Sequence, residues 1–320
     1  MKKPVLLLAA FLCLVGTAGC PAEDTPGAVS EDAGVGGAGA AGLAGSAGTA
    51  GSAPAEGGVG GAAGAISPCS GLPGPAMAEV VASSNVRYCV DSTEVTQAQY
   101  DEFLKHVSWA AGTEDARCGA NGSYAPDVHL IDPYEPKGCG LGCWTPDLTP
   151  NHPAVCIDWC DAVAYCKWAG KRLCGKIGGG EGALAAVNDP STSQWHYACT
   201  NGGATVFPYG PTYVDGACNA FSPDLPDADV IGSAQDVGSF PQCKGTGSPY
   251  SSIFDMSGSV EEWTDECEWT KTPNGEYLRC ASRGGDYLAL PQQVACTSHA
   301  GSGTGMTDAL IGFRCCKEAE

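Results

Sequence analysis

The sequence is poor in positive charge and lacks several of the spacings that mark common functional sites. Lys and Arg number 16 against 36 Asp and Glu, so the 320 residues carry a formal net charge of −20. Nucleic-acid binding needs an excess of cationic side chains to neutralise phosphates, and that class of partner is therefore excluded. No two cysteines are spaced as Cys-x-x-Cys, which argues against zinc ribbons and thioredoxin-like redox sites.

Familiar catalytic patterns are absent as well. The five histidines form neither His-Glu-x-x-His nor a close metal pair, and there is no Gly-x-Ser-x-Gly elbow. His196, beside Trp195, is expected to be packed or exposed rather than catalytic. Asp91 and Glu94 could suggest an acid pair, but Glu94 lies just before a helix start, and we interpret it as a solvated or capping carboxylate.

The N-terminus indicates export. Two lysines precede an apolar run at 5–15, which is shorter than the roughly 20 residues of a membrane-spanning helix. Small residues follow and end at Cys20, a pattern that resembles a bacterial lipobox, so 1–20 is predicted to be a lipoprotein signal peptide. The alternative is an ordinary signal peptide cut near Ala18.

Lipidation of Cys20 would anchor the chain in a membrane, since several acyl chains give stable attachment. The residue after Cys20 is Pro21 and not Asp, which at this position would resemble a signal for retention in the plasma membrane. We therefore expect the protein to be located in the bacterial cell envelope, at the outer membrane or the cell surface. Its partner is expected to be an extracellular or envelope ligand or protein.

Residues 21–66 are predicted to be a Gly/Ala-rich disordered tether. Within 33–65, 25 of the 33 residues are Gly or Ala and none is aromatic, so no core can form there. Such a spacer would hold a folded domain clear of the lipid surface.

Residues 67–320 are predicted to form one cysteine-rich domain. They contain 17 cysteines, an odd number that allows at most eight bridges and leaves one thiol. Three helices are expected: one after the capping box at 96–99, one after Asp158 with Gly170 as its stop, and one opened by Asp189 and Pro190. The remainder is rich in Gly, Pro, Asn and Asp, which is typical of loops and short strands.

Five segments in order resemble the formylglycine-generating enzyme family, also called sulfatase-modifying factors. They are YCVDSTEVTQAQY at 88–100; HPAV at 152–155 with WCDAVAYC and WAGKRL at 159–173; WHYAC at 195–199 with PYG at 208–210; DMSGSVEEW at 255–263; and RGG at 283–285 with GFRC at 312–315. The resemblance implies the α+β, C-type-lectin-like fold of that family, with low regular secondary structure and many disulfides.

Two disulfides are implied by the resemblance, Cys166–Cys315 and Cys199–Cys296. Both would close loops of about 100 residues or more, for which the chain-entropy gain is large. Cys267 and Cys280 flank a Pro-Asn-Gly turn, and we expect a local hairpin bridge between them. The other pairings stay open.

Calcium sites are also implied by the resemblance. The family places one ion on the segment matching Asp255, Gly258, Val260 and Glu262, where two carboxylates and backbone carbonyls would supply the oxygens that Ca²⁺ prefers. A second site would fall on Asn219, Ala220, Asp229 and Ile231. An ordinary acidic turn is the alternative at each place.

The family's catalytic residues do not carry over. It oxidises a substrate cysteine with copper held by two cysteines just beyond the Gly-Gly motif, and soft thiolates suit Cu(I). The matching positions here are Ala289 and Val294, so copper is not expected. Glu261 replaces a Trp of the family's oxygen pocket, and Asp286 replaces a Ser.

We therefore expect a non-catalytic module that binds a ligand or partner. Glu261, Asp286, Ala289 and Val294 would form its pocket, and a cation, an amine or a basic peptide would suit two close carboxylates. The alternative is a copper-dependent formylglycine-generating oxidase with rearranged ligands.

Overall fold

The computed structural model describes residues 67–128, 139, 143–221, 233–273 and 275–319. They all lie in the second of the two units into which the chain divides, Ala62–Glu320. The segments predicted as signal peptide and tether, with Cys20, lie outside the described residues, as do Asp229 and Ile231 of the second calcium set. No helix of the described part is long and apolar enough to cross a bilayer.

Two of the three helices begin where their caps predict. Helix α1 (Gln97–His106) starts at Thr96, whose hydroxyl accepts the Gln99 amide while the Gln99 side chain accepts the Thr96 amide. This reciprocal pairing satisfies two backbone donors that a helix end leaves without partners. Helix α2 (Trp159–Trp168) starts at Asp158, whose carboxylate accepts the Asp161 amide at 2.9 Å.

The third helix begins later than the sequence predicted. Helix α3 (Gln194–Cys199) has Ser193 as its N-cap, so the expected start at Asp189 and Pro190 is wrong. Asp189 instead accepts hydrogen bonds from the amide and the hydroxyl of Ser191, at 2.8 and 2.6 Å. Asp commonly forms such local turns in competition with helix capping, and here the turn delays the helix by about one turn.

Nine strands of the described part form two sheets. In chain order they are β1 (Met77–Val81), β2 (Arg87–Asp91), β3 (Arg172–Leu173), β4 (Gly182–Ala183), β5 (Glu261–Thr272), β6 (Gly275–Arg283), β7 (His299–Gly303), β8 (Ile311–Phe313) and β9 (Cys315–Glu318). The first sheet is antiparallel with the order β1-β2-β9-β3. The second has the order β4-β5-β6-β7, with β8 parallel to β5.

An aromatic core packs α1 and α2 against the second sheet. Tyr100 and Phe103 of α1, Tyr165 of α2 and Phe313 of β8 are fully buried, and the Tyr100 and Tyr165 rings stack with centroids 5.7 Å apart. Burial of such large side chains is the main source of stability in a domain with short elements. The expected α+β architecture with little regular structure is confirmed.

Arg314, between β8 and β9, joins the two sheets from the inside. Its guanidinium makes a bidentate pair with Glu262 of β5, at 2.6 and 2.7 Å, and donates to the backbone carbonyls of Asp91 and Phe254. Both charged side chains are completely buried. The Asp91 carboxylate in turn accepts hydrogen bonds from the Lys171 ammonium group, at 2.6 Å, and from the Cys315 backbone amide, at 2.9 Å.

Replacing Arg314 by Met should lower the free energy of unfolding by about 3–5 kcal/mol, because it leaves the Glu262 carboxylate buried without its counter-ion. Arg87→Met is the matched control, since Arg87 is exposed and its pair with Glu79 lies at the surface; we expect a change of at most about 1 kcal/mol there. Denaturant titration with intact disulfides measures both. Equal losses in the two variants would contradict the assigned role of Arg314.

Candidate functional site

A double-glycine turn after β6 shapes the region of interest. Gly284 and Gly285 both adopt positive φ angles, 92° and 71°, which residues with a Cβ rarely adopt. A Cβ at position 285 would also lie only 2.3 Å from the carbonyl oxygen of Gln293. The two glycines therefore allow the chain beyond β6 to fold back closely on the start of β5.

An open cavity of about 220 Å³ lies beside this turn. Its lining includes Glu261, Asp286, Leu288, Ala289, Ser298 and His299. Three of the four residues predicted to form the pocket thus lie around one cavity. Val294 does not line it and is completely buried, and His299 is a lining residue that the sequence analysis did not identify.

The carboxylates of Glu261 and Asp286 each accept a hydrogen bond from a neighbouring group of the fold. Glu261 accepts a hydrogen bond from the hydroxyl of Ser282 on β6, whose partner in the β5–β6 register is Trp263. Asp286 is 7% exposed and accepts the backbone amide of Leu288 at 2.7 Å. Because both carboxylates are oriented by groups of the scaffold, the cavity presents a fixed negative wall.

The positions implied for copper ligands lie in an apolar cluster. Ala289 and Val294 pack with Phe207 and Ala295, and the hydroxyl of Ser257 donates to the Val294 carbonyl at 2.6 Å, which fixes that segment. The nearest cysteine in sequence, Cys296, is bonded to Cys199. None of these side chains offers a thiolate.

Eight disulfides cross the domain and include all three pairs expected from the sequence. Those pairs are Cys166–Cys315, Cys199–Cys296 and Cys267–Cys280. The five that the sequence left open are Cys69–Cys89, Cys118–Cys160, Cys139–Cys156, Cys174–Cys316 and Cys218–Cys243. In the part of the chain that the structure describes, Cys143 is the one free cysteine.

Cys143 interacts electrostatically with Tyr287, which follows the cavity residue Asp286 in the chain. Burial first, and then Cys143 and Asp286, raise the pKa of Tyr287 to about 12. The odd cysteine count predicted a free thiol, but nothing in the sequence distinguished Cys143 from the other sixteen.

The residues of the first calcium set lie on the buried turn that leads into β5. Asp255 is 4% exposed, has a φ of 60°, and accepts the Gly238 amide. Burial raises the pKa of the Asp255 carboxyl to about 6. Glu262 accepts Trp195 Nε1 at 2.7 Å in addition to Arg314, so its oxygens already have positive or polar partners.

Glu94 lies in this same region, which corrects the expectation that it is solvated or caps a helix. Glu94 and Asp91 are both completely buried, and neither oxygen of Glu94 has a hydrogen-bond partner among the described residues. Burial first, and then the nearby Asp255, raise the pKa of the Glu94 carboxyl well above its ordinary value. The mostly polar sequence around Glu94, DSTEVTQ at 91–97, gave no sign that this side chain points inward.

Three carboxyl groups of this region share one cationic partner. Three buried carboxylates, Glu94, Asp255 and Glu262, interact electrostatically with one cation, Arg314, which leaves two negative charges in excess when all are ionised. No group of three or more His, Cys, Asp or Glu side chains within the described residues has the geometry to hold a metal ion. Backbone carbonyls would therefore have to supply part of the coordination.

Asn219 and Ala220, the two described residues of the second predicted calcium site, lie next to the residues of the first predicted site. The carbonyl oxygen of Asn219 accepts the Ser259 amide at 2.7 Å, and a Cβ at Gly258 would lie 2.2 Å from that oxygen. The side-chain amide of Asn219 donates to the Ser233 carbonyl. Ala220 is half-buried and packs against the apolar cluster that includes Ala289.

His196 is packed, as the sequence predicted. It is 5% exposed, and its Nδ1 lies 3.1 Å from the carbonyl oxygen of Cys296. Burial, together with the nearby Arg283 guanidinium, lowers the pKa of His196 to about 4. A neutral, enclosed imidazole of this kind supports the loop after Val294 rather than exchanging protons with solvent.

Comparisons with known proteins agree with these features. The family model described as a sulfatase-modifying factor enzyme 1-like domain matches residues 75–319. The formylglycine-generating enzyme of Streptomyces coelicolor is 25% identical over 72% of this chain and 78% of its own length. A mouse protein named inactive C-alpha-formylglycine-generating enzyme 2 is 26% identical over 72% of this chain and 75% of its own.

Among solved structures, PvdO from Pseudomonas aeruginosa is similar with a TM-score of 0.40 and 20% sequence identity, covering 72% of this chain and 80% of that one.

Proposed function

Because the chain belongs to the family of sulfatase-modifying factor enzyme 1-like domains, whose C-type-lectin-like fold it shares, we propose that it is a non-oxidising member that binds a cationic ligand. The observation that carries this proposal is the apolar cluster of Ala289 and Val294, the two positions where the family resemblance implies the copper cysteines. Copper chemistry needs thiolates there, and methyl and isopropyl groups supply none.

The similarity to a mouse relative named inactive supports the same conclusion, since the family includes a member with that description. The rearranged-ligand alternative finds little support in the cysteines of the described part. Sixteen of them are paired in eight bridges, and Cys143 is free. A two-thiolate site would therefore require the opening of a bridge.

The cavity at Glu261 and Asp286 is the proposed ligand site. Its volume of about 220 Å³ suits a single side chain or a small amine rather than a large ligand, and its two carboxylates favour a positive group. A lysine or arginine side chain of a partner protein, or a free alkylamine, has the required charge and width. Hydrogen bonds to a charged group of this kind are worth about 1.5–3 kcal/mol each.

Replacing both carboxylates by their amides, Glu261→Gln with Asp286→Asn, should weaken binding of an alkylamine or a lysine-containing peptide at least about tenfold, since the shape is kept and the charge removed. Glu276→Gln, at an exposed position of β6, is the matched control and should bind as the wild type does. Isothermal titration calorimetry on all three proteins provides the measurement.

The same proteins test the oxidase alternative. A Cu(I) titration combined with oxidation of a cysteine-containing peptide should show neither specific uptake nor turnover. Stoichiometric Cu(I) binding with peptide oxidation, lost in Cys143→Ser, would establish the alternative and overturn the proposed function.

Calcium is proposed as a structural ion on the segment of Asp255, Gly258, Val260 and Glu262, with the Asn219 segment beside it. The three buried carboxyl groups of Glu94, Asp255 and Glu262, which share Arg314 as a cationic partner, support this assignment, because a bound divalent cation would favour their ionised forms. Calcium would supply charge compensation and cross-link the turn before β5. Asp255 would provide its carboxylate, and the backbone would provide carbonyl oxygens.

Calcium at saturating concentration should raise the melting temperature of the wild-type chain, because a ligand present at 100 times its dissociation constant stabilises by about 2.7 kcal/mol. Asp255→Asn should lose this response, whereas Asp147→Asn, at an exposed position, should keep it. Differential scanning fluorimetry with calcium and with chelator compares them. An identical response of Asp255→Asn and wild type would remove Asp255 from the site.

Envelope anchoring through Cys20 is proposed from the sequence of 1–20. The wild-type chain produced in a bacterial host should enter the detergent phase of a phase-separation assay, and Cys20→Ser should stay in the aqueous phase because it lacks the acyl chains. Cys13→Ser, a substitution within the predicted signal, is the control and should behave as the wild type. Detergent partition of Cys20→Ser would show that Cys20 is not the anchor.

A further inference from the structure

A second cavity lies between α2 and the loop that follows α1. Its volume is about 310 Å³, at the lower end of the roughly 300–1,000 Å³ of small-molecule sites. One helical face of α2 and the facing loop line it, with Val107, Glu114, Tyr124, Val163, Ala164 and Trp168 as the residues of interest. We call it the α2 cavity, and it shares no lining residue with the cavity at Glu261.

The wall of the α2 cavity is fixed in place by covalent and polar links. The Cys118–Cys160 disulfide fastens the loop to the first turn of α2. The side-chain amide of Asn121 donates to Glu114 and to Asp161, each at 2.9 Å. The cavity is therefore a property of the folded chain rather than a loose gap, and Glu114 is held at a defined place on its wall.

The charges around the α2 cavity favour a cation. Four acidic residues lie in or beside the wall: Glu114, Asp115, Asp158 and Asp161. Two cationic residues, Lys167 and Arg117, lie near them. Arg117 is already shared between Asp115 and Asp265, at 2.9 and 2.7 Å. Asp161 adds no charge to the wall near neutral pH, because burial first, and then Asp158 and Glu114, raise its pKa to about 9.

Lys167 also lines the cavity, and its ammonium group already has a backbone partner. It is an exposed residue whose ammonium group lies 3.4 Å from the Thr113 carbonyl. The interior surface is mostly apolar and comes from Val107, Val163 and Ala164, with the rings of Tyr124 and Trp168. Aromatic faces attract cations, and apolar side chains accept the hydrocarbon part of a ligand.

We propose that the α2 cavity binds a small organic cation, in which an ammonium group pairs with Glu114 and an apolar body packs against Val163, Ala164 and Trp168. This site is separate from the one proposed at Glu261 and Asp286, and neither site requires the other. The ligand class is a primary amine with a compact ring or branched alkyl group.

The proposal is tested with 2-phenylethylamine and its neutral counterpart 2-phenylethanol as probes, by isothermal titration calorimetry on the full chain. To remove any contribution of the other cavity, each protein also carries Glu261→Gln and Asp286→Asn. The amine should bind with one site per chain, and the alcohol about tenfold more weakly or not at all, because it lacks the charge that Glu114 pairs.

Two variants locate the binding. Glu114→Gln should weaken the amine about tenfold, and Ala164→Phe should abolish its binding by filling the apolar part. Glu102→Gln removes the same charge from an exposed position of α1 and should leave the affinity unchanged. Thermal melting of each variant confirms that it is folded before its affinity is compared.

Equal affinity for amine and alcohol would overturn the cationic specificity. Unchanged amine affinity in folded Glu114→Gln and Ala164→Phe would overturn the location. Loss of all binding on introducing Glu261→Gln and Asp286→Asn alone would assign the amine to the other cavity and likewise refute this proposal, while supporting the function proposed there.

Discussion

The bidentate pair of Arg314 and Glu262 is the interaction on which the rest of the domain depends. It joins the first sheet to the second without any solvent access, and its remaining donors hold the carbonyls of Asp91 and Phe254. A buried pair of this kind is costly to break because either partner alone is an uncompensated charge. This pair thereby fixes the turn before β5, the end of β2 and the last two strands relative to one another. The candidate cavity lies where these elements meet the Gly284–Gly285 turn.

On the proposed function, the scaffold is kept while the chemistry of the site changes. The Cys199–Cys296 bridge and the packed His196 hold the segment after the double glycine, and Ala289 and Val294 stand where the family resemblance implies the copper thiols. Since the scaffold is stabilised by disulfides and buried ion pairs outside the cavity, the lining residues can vary without loss of the fold. Glu261 and Asp286 are consistent with such a change of use, from a site for redox chemistry to one for charge recognition.

The sequence predicted best what depends on neighbouring residues. The cap at Thr96, the start of α2 at Asp158 and the hairpin bridge Cys267–Cys280 all rest on local patterns, and the order of family motifs added the two long-range bridges. It failed where a local choice had a close competitor, as at Asp189, which forms its own turn while Ser193 caps α3. It also failed at Glu94, because the burial of a single carboxylate is decided by Arg314, Asp255 and Glu262, more than 150 residues away in the chain. Cys143 and five of the bridges were not predicted either, although four of those bridges span only 17 to 42 residues, because cysteine spacing alone does not determine which cysteines pair.

The position of β9 has a consequence for how the domain is made. This last strand pairs with β2 on one side and β3 on the other, and its first two residues close bridges that span 149 and 142 residues, to Cys166 and Cys174. The first sheet is therefore incomplete until β9 has been synthesised, and Cys166 and Cys174 cannot form their native bridges before then. A cysteine that pairs earlier with either of them forms a bridge that must be exchanged before β9 can take its place in the sheet.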